Sequence, residues 1–174
     1  MKKVVKFGGS SLASAQQFSK VKSIITADKH RRYVIPSAPG KRFSGDTKVT
    51  DMLYDCYDTA VSGSNFEEKL DKIHERYNEI IEGLHLDLSL DKEFDKIYEY
   101  FKNGAGVNYA ASRGEYLNGI IMANYLGFEF IDAAEVIFFD ENGVFLPEKT
   151  NDELEARLAS MKQAVIPGFY GSKP

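Results

Sequence analysis

Apolar positions along the chain fall into two rhythms. Phe18, Val21 and Ile25 stand three and four residues apart, and Leu53, Tyr57 and Val61 keep the same kind of spacing. So do Leu70, Ile73, Tyr77, Ile80, Ile81 and Leu84, and then Phe94, Ile97, Tyr98 and Phe101. Such spacing puts side chains on one face of a helix. It predicts helices beginning after Ser14, from near Val49, over about 65–84, over about 91–102 and over 107–126. Ser14-Ala15-Gln16-Gln17 has the form of a capping box, and Asn103-Gly104 and Gly127 are stop signals.

Between the helices run shorter apolar stretches. Val4-Val5 with Phe7 reads as a buried strand, and Arg32-Tyr33-Val34-Ile35 as a second, stopped by Pro36. One helix between them makes a βαβ unit with parallel strands. Phe128–Ile131, Val136–Phe139 and Ala164–Ile166 read as further strands, Asn142-Gly143 as a hairpin turn and Asp152–Met161 as a short helix. Strands alternating with helices predict an α/β fold on a mostly parallel sheet.

Composition narrows the class. With 43% apolar residues in 174, one domain can bury a core. No apolar run approaches the ~18 residues of a membrane span, and the N-terminus lacks a signal-peptide pattern. The single cysteine, Cys56, falls mid-helix as a small core residue, allows no internal disulfide and fits a reducing cytoplasm. His30, His74 and His85 have no metal-ligand spacing, so no metal site is expected, and the absence of Gly-x-Ser-x-Gly argues against a hydrolase.

The net charge of −4 argues against nucleic acid as the main partner, but its distribution is uneven. Residues 1–50 carry eleven Lys/Arg against only Asp28 and Asp46, a net +9, whereas the rest carries eleven Lys/Arg and 24 Asp/Glu, a net −13. Either solvated faces are patterned by chance, or the first fifty residues line a site for anions.

Four stretches could carry chemistry. Lys6-Phe7-Gly8-Gly9-Ser10-Ser11 ends a strand and leads into a helix, which makes it either a plain turn or an amide cradle for phosphate with Lys6 as its charge. Ser37, at the end of the second strand, precedes a long polar loop to Lys48, and Thr47 and Thr50 follow. These hydroxyls suit a carboxylate or phosphate, or Thr47 or Thr50 simply caps the next helix. In Ser112-Arg113-Gly114-Glu115, Glu115 is read as lying in an early helical turn, as a solvated acid or as the acceptor for a ligand ammonium group. Gly114 costs helix stability and suggests a close approach there. Gly168-Phe169-Tyr170-Gly171 follows the last strand, where parallel sheets bind ligands, or is a glycine-flanked turn.

Taken together, in this order and approximate spacing, these motifs resemble those of aspartate kinases along the whole chain, with Lys-Phe-Gly-Gly-Ser-Ser the most specific. The resemblance implies the N-terminal portion of the amino-acid-kinase (carbamate-kinase-like) fold, a mostly parallel sheet between helix layers. It implies transfer of the ATP γ-phosphoryl group to the side-chain carboxylate of L-aspartate, with Mg²⁺ accompanying ATP. Lys6 would neutralise the phosphoryl group beside the amides of Gly8, Gly9 and Ser10. Ser37 and Thr50 would contact aspartate, Glu115 its α-ammonium group, and the backbone near Phe169 would close the pocket. No Arg-Gly-Gly-Ser-Asp-like stretch of the family occurs within the 174 residues, so the resemblance is to the aspartate-binding half, without nucleotide-binding half or ACT domains. The expectations are a cytoplasmic homo-oligomer for the full-length enzyme, no membrane or nucleic-acid partner, and no phosphorylation of aspartate by this chain alone. The alternatives are a family member acting on glutamate, acetylglutamate or a nucleotide, which usually opens with a different glycine-rich start, and a non-catalytic aspartate-binding fragment.

Overall fold

The computed structural model describes residues 1–174 and contains four strands, β1 (Lys3–Phe7), β2 (Arg31–Pro36), β3 (Glu129–Phe130) and β4 (Ala164–Val165). All neighbours are parallel, in the order β1-β2-β4-β3. The expected βαβ unit is present: β1 leads through a short 3-10 turn (Gly9–Leu12) and α1 (Ala15–Thr26) to β2, its direct partner. Ser14 caps α1 as its capping box predicts, accepting the Gln17 N–H at 3.4 Å.

Between β2 and β3 come α2 (Val49–Val61), α3 (Glu67–Gly83), α4 (Asp91–Lys102) and α5 (Val107–Leu126), close to the spans their periodicity predicts. Strand alternation sorts the sheet into two faces. Val34 and Val165 join Phe18, Leu53, Tyr77, Leu117 and Ile121 under α1–α5. Tyr33 and Ala164 point the other way, into a smaller core with Val136 and Leu154. That face is covered by α6 (Ala133–Val136) and α7 (Pro147–Leu158). The result is the expected parallel sheet between helix layers. No helix is long and apolar enough to cross a membrane.

Several local expectations change. The strand expected at Val136–Phe139 is the end of a helical turn followed by two single bridges, Phe138 with Ser172 and Phe139 with Phe145. Asp132 accepts the Ala134 N–H at 3.0 Å, and this cap turns the chain into a helix before the apolar run begins. The strands at 128–131 and 164–166 shorten to two residues each. The last helix starts at Pro147 rather than Asp152, with proline in its first turn. Strand β1 lies at the sheet edge, so Val4 is 65% exposed instead of buried. Cys56 is buried as expected, and burial pushes its thiol up to about 12.

Helix α5 settles how the site is built. Gly114 and Gly119 each cost ~1 kcal/mol in a helix interior, a cost offset by Leu117, Ile121 and Met122, all 0% exposed. A Cβ on Gly114 would meet the Ala38 Cβ at 2.8 Å, and one on Gly119 would meet Pro167 at 2.7 Å. The close approach suggested by Gly114 is therefore made by the loop after β2, not by a ligand. Lying directly on the loops after β2 and β4, α5 delivers its side chains to the carboxyl ends of the strands.

Candidate functional site

Every sequence-predicted site residue lies at that end of the sheet. In register, Lys6 pairs with Ile35 and Phe7 with Pro36. The Ser37 N–H donates to Phe7 O at 3.0 Å, and the Gly168 N–H to Pro36 O at 3.3 Å. A cleft of about 460 Å³ is lined by Gly9, Ser10, Ser37, Thr50 and Glu115, together with Lys41 and Lys48. A second, of about 960 Å³, shares Thr50 and Glu115 with it and extends past Tyr109, Arg113, Phe169 and Tyr170. Lys6 lines neither directly. Its Nζ sits 4.2 Å from the centre of the Phe169 ring, at the rim of the larger cleft. Phe169 holds φ +67° and is 76% exposed, and Gly8 is exposed with open space where a Cβ would project.

Glu115 departs from its expected setting. It is the ninth residue of α5, beyond the reach of the N-terminal dipole, and only 7% exposed. Burial raises its pKa above the ordinary carboxylate value, opposed by backbone hydrogen bonds including that from Ala38. The Ala38 N–H reaches Glu115 Oε1 at 3.4 Å, while the carbonyl on the other side of that peptide, Ser37 O, accepts Asn118 Nδ2 at 2.7 Å. Two side chains one turn apart on α5 thus grip the Ser37–Ala38 peptide. Tyr77 secures the helix from behind, its hydroxyl donating to Gly114 O at 2.7 Å. The reading of Glu115 as a solvated acid fails; it is a desolvated carboxylate facing a cleft.

Neither Thr47 nor Thr50 caps α2. The cap is Lys48 without a side-chain bond, and Thr50, the second residue of the helix, faces both clefts. Gly8, Gly9 and Ser10 open the 3-10 turn, so their N–H groups have no acceptor within it. Gly9 has a second task that its sequence position did not reveal. Its carbonyl accepts the Gly40 N–H at 2.8 Å, and a Cβ on Gly40 would lie 2.6 Å from Gly9 C. Backbone cannot yield there. Gly40→Ala is expected to cost about 1–3 kcal/mol of overpacking, lowering the melting temperature by ~2–4 °C for each kcal/mol in a chain of this size, as thermal unfolding would record.

Part of the basic N-terminal charge is spent on structure. Lys3 pairs with Asp28 at 2.7 Å, and Arg42 forks onto Asp46 at 2.8 and 2.9 Å while reaching Glu79 at 2.7 Å. The Arg42 fork holds the Asp46 carboxyl well below the usual range. Lys41 and Lys48 remain at the smaller cleft, whose lining combines an acid, Glu115, with glycine and serine backbone and two lysines. Such a cleft suits a small zwitterion that also carries an anionic group. No cluster of three or more His, Cys, Asp or Glu side chains could hold a metal ion.

The family model for the amino acid kinase family matches residues 1–174. Aspartokinase 3 of Bacillus subtilis (strain 168) is 32% identical over 184 residues, covering 97% of this chain and 40% of that protein. Clostridium acetobutylicum aspartate kinase has a crystal structure similar to this one at TM-score 0.95 and 51% identity, over 99% of this chain and 40% of that one. E. coli aspartokinase III in complex with aspartate and ADP shares the fold at TM-score 0.80 and 20% identity, over 99% of this chain and 42% of that one. The chain thus spans about 40% of the length of these relatives.

Proposed function

This chain belongs to the amino acid kinase family, and from that premise we propose that it is the aspartate-binding part of an aspartate kinase. The observation that carries the reading is the cleft shared by Gly9, Ser10, Ser37, Thr50 and Glu115. L-aspartate enters with its α-ammonium group on Glu115 and its side-chain carboxylate toward the Gly8–Ser10 turn, with the Ser37 and Thr50 hydroxyls between. That carboxylate, with an unperturbed pKa of about 3.9, is ionised at neutral pH and attacks the γ-phosphorus of ATP without a general base. The new O–P bond forms as the bond from the γ-phosphorus to the β,γ-bridging oxygen breaks, giving 4-phospho-L-aspartate and ADP. Lys6 and the amides of Gly8, Gly9 and Ser10 balance the charge carried by the transferring group, the kind of fixed electrostatic support on which phosphoryl transfer depends.

No cluster of His, Cys, Asp or Glu side chains here could hold the ion by itself, so Mg²⁺ would enter as the companion of the nucleotide phosphates. The wider proposal is a cytoplasmic, homo-oligomeric enzyme at the first step toward lysine, threonine and methionine.

Calorimetric titration of this chain tests the reading. L-aspartate should bind more tightly than L-glutamate, and N-acetyl-L-glutamate, which has no ammonium group for Glu115, should bind weakest. Preference for the acetylated ligand would overturn the assignment. A coupled ADP-release assay with saturating aspartate and Mg·ATP should show no turnover by the chain alone. Rates of about 1–100 s⁻¹, ordinary for kinases, would instead mean that a nucleotide site lies among residues assigned to the core.

A further inference from the structure

Arg76, on α3, is 3% exposed, and the cleft residues do not include it. Its Nη1 donates to Ala13 O and its Nη2 to Gly40 O, both at 2.9 Å. Its nearest carboxylate, Asp46 at 3.6 Å, is already engaged by Arg42, and Arg76 Nε has no partner. Burial draws this guanidinium below its ordinary pKa. A buried charge with a shared counter-ion is costly, and an apolar side chain of similar volume is often no less stable. Stability alone therefore explains poorly why an arginine stands here.

Its two acceptors suggest the reason. Ala13 directly follows the turn that begins with Gly9 and Ser10. Gly40 belongs to the loop that begins with Ser37, and its N–H is the one bound to Gly9 O. One planar, two-armed donor thus spans the two walls of the smaller cleft. We infer that Arg76 is a positioning residue that fixes the Gly8–Ser10 turn against the Ser37–Gly40 loop, and so sets the distance between the two ends of the bound amino acid. The inference rests on the aspartate-kinase reading for its ligand but not for its geometry.

Two readouts separate them. In hydrogen exchange of the ligand-free chain, Arg76→Met should lose at least tenfold in protection of the Gly40 amide. Ile73→Val, a destabilising change buried in the same helix, should retain that protection at an equal fraction folded. In calorimetry at a temperature where each variant is folded, Arg76→Met should bind L-aspartate at least tenfold more weakly than wild type. Arg76→Lys, which can reach one carbonyl, should recover part of the loss and serves in its place should Arg76→Met not fold. Unchanged Gly40 protection in the arginine variants overturns the inference whatever the ligand. Lost protection with unchanged aspartate affinity also overturns it, by reducing Arg76 to a structural clamp. If wild type binds no aspartate, the functional reading fails while the exchange result still decides the geometry.

Discussion

Replacing Glu115 with glutamine is expected to make the chain more stable at neutral pH and to weaken aspartate binding by about 10- to 100-fold. The binding loss follows from the loss of a charge-assisted hydrogen bond to the ammonium group, worth ~1.5–3 kcal/mol, at ~1.4 kcal/mol per tenfold. The stability gain follows from burial. Glu115 is 7% exposed, and its pKa in the folded chain is raised above 4.5, chiefly by desolvation. A group whose pKa is raised on folding favours the folded state while it is protonated in both states, below 4.5, and loses that contribution as pH climbs through the folded value. At pH 7 the wild-type chain therefore holds a desolvated charge that glutamine removes. Glutamine keeps an oxygen for the Ala38 N–H, and its amide faces the cleft. Melting temperatures of the two proteins should converge below pH 4.5 and separate as pH rises, with glutamine the higher. A variant no more stable than wild type at pH 7 would mean that Glu115 is better compensated than its surroundings indicate.

A carboxylate kept where it destabilises the fold is the kind of local conflict that marks a working site. That conflict was only partly legible in the sequence. The motif identifies Glu115 as a candidate, but the expected early helical turn differs from its actual place as the ninth residue of α5, where burial and not the dipole sets its environment. Periodicity located α3, α4 and α5 closely because each buries an apolar stripe that repeats over several turns. It failed at Val136–Phe139, where one capping contact from Asp132 outweighs a short apolar run.

The residues missed altogether, Arg76, Asn118 and Gly40, share one property: each acts on chain more than thirty residues away. Asn118 holds a carbonyl 81 positions back, and Arg76 one 36 positions back. Arg76 and Asn118 also occupy the inner face of a helix, where a lone polar residue among apolar ones was the only available signal. Lys41 and Lys48 lay within the basic stretch suspected of lining an anion site, but charge counting could not separate them from Arg42, which is committed to Asp46 and Glu79.

The second large effect concerns Lys6. It is best read in a chimera in which residues 1–174 replace the matching part of Clostridium acetobutylicum aspartate kinase, to which this chain is 51% identical. In that protein Lys6→Met is expected to lower kcat by about 10²–10³, the cost of deleting one preorganised transition-state partner, while the KM for aspartate stays within about twofold. Lys6 is exposed at the end of an edge strand, so the substitution should cost the fold little. Its one described side-chain contact is the Phe169 ring at 4.2 Å, and a cation–π pair at an exposed site is worth only ~0.5–1 kcal/mol. Phe169→Leu therefore serves as the control: it removes the ring but leaves the ammonium group free to follow the phosphoryl group, and kcat should fall by less than tenfold. A rise in KM with kcat preserved in Lys6→Met would assign Lys6 to substrate binding in the ground state. Equal losses in the two variants would instead mean that the Phe169 ring, by holding the lysine in place, matters as much as the charge.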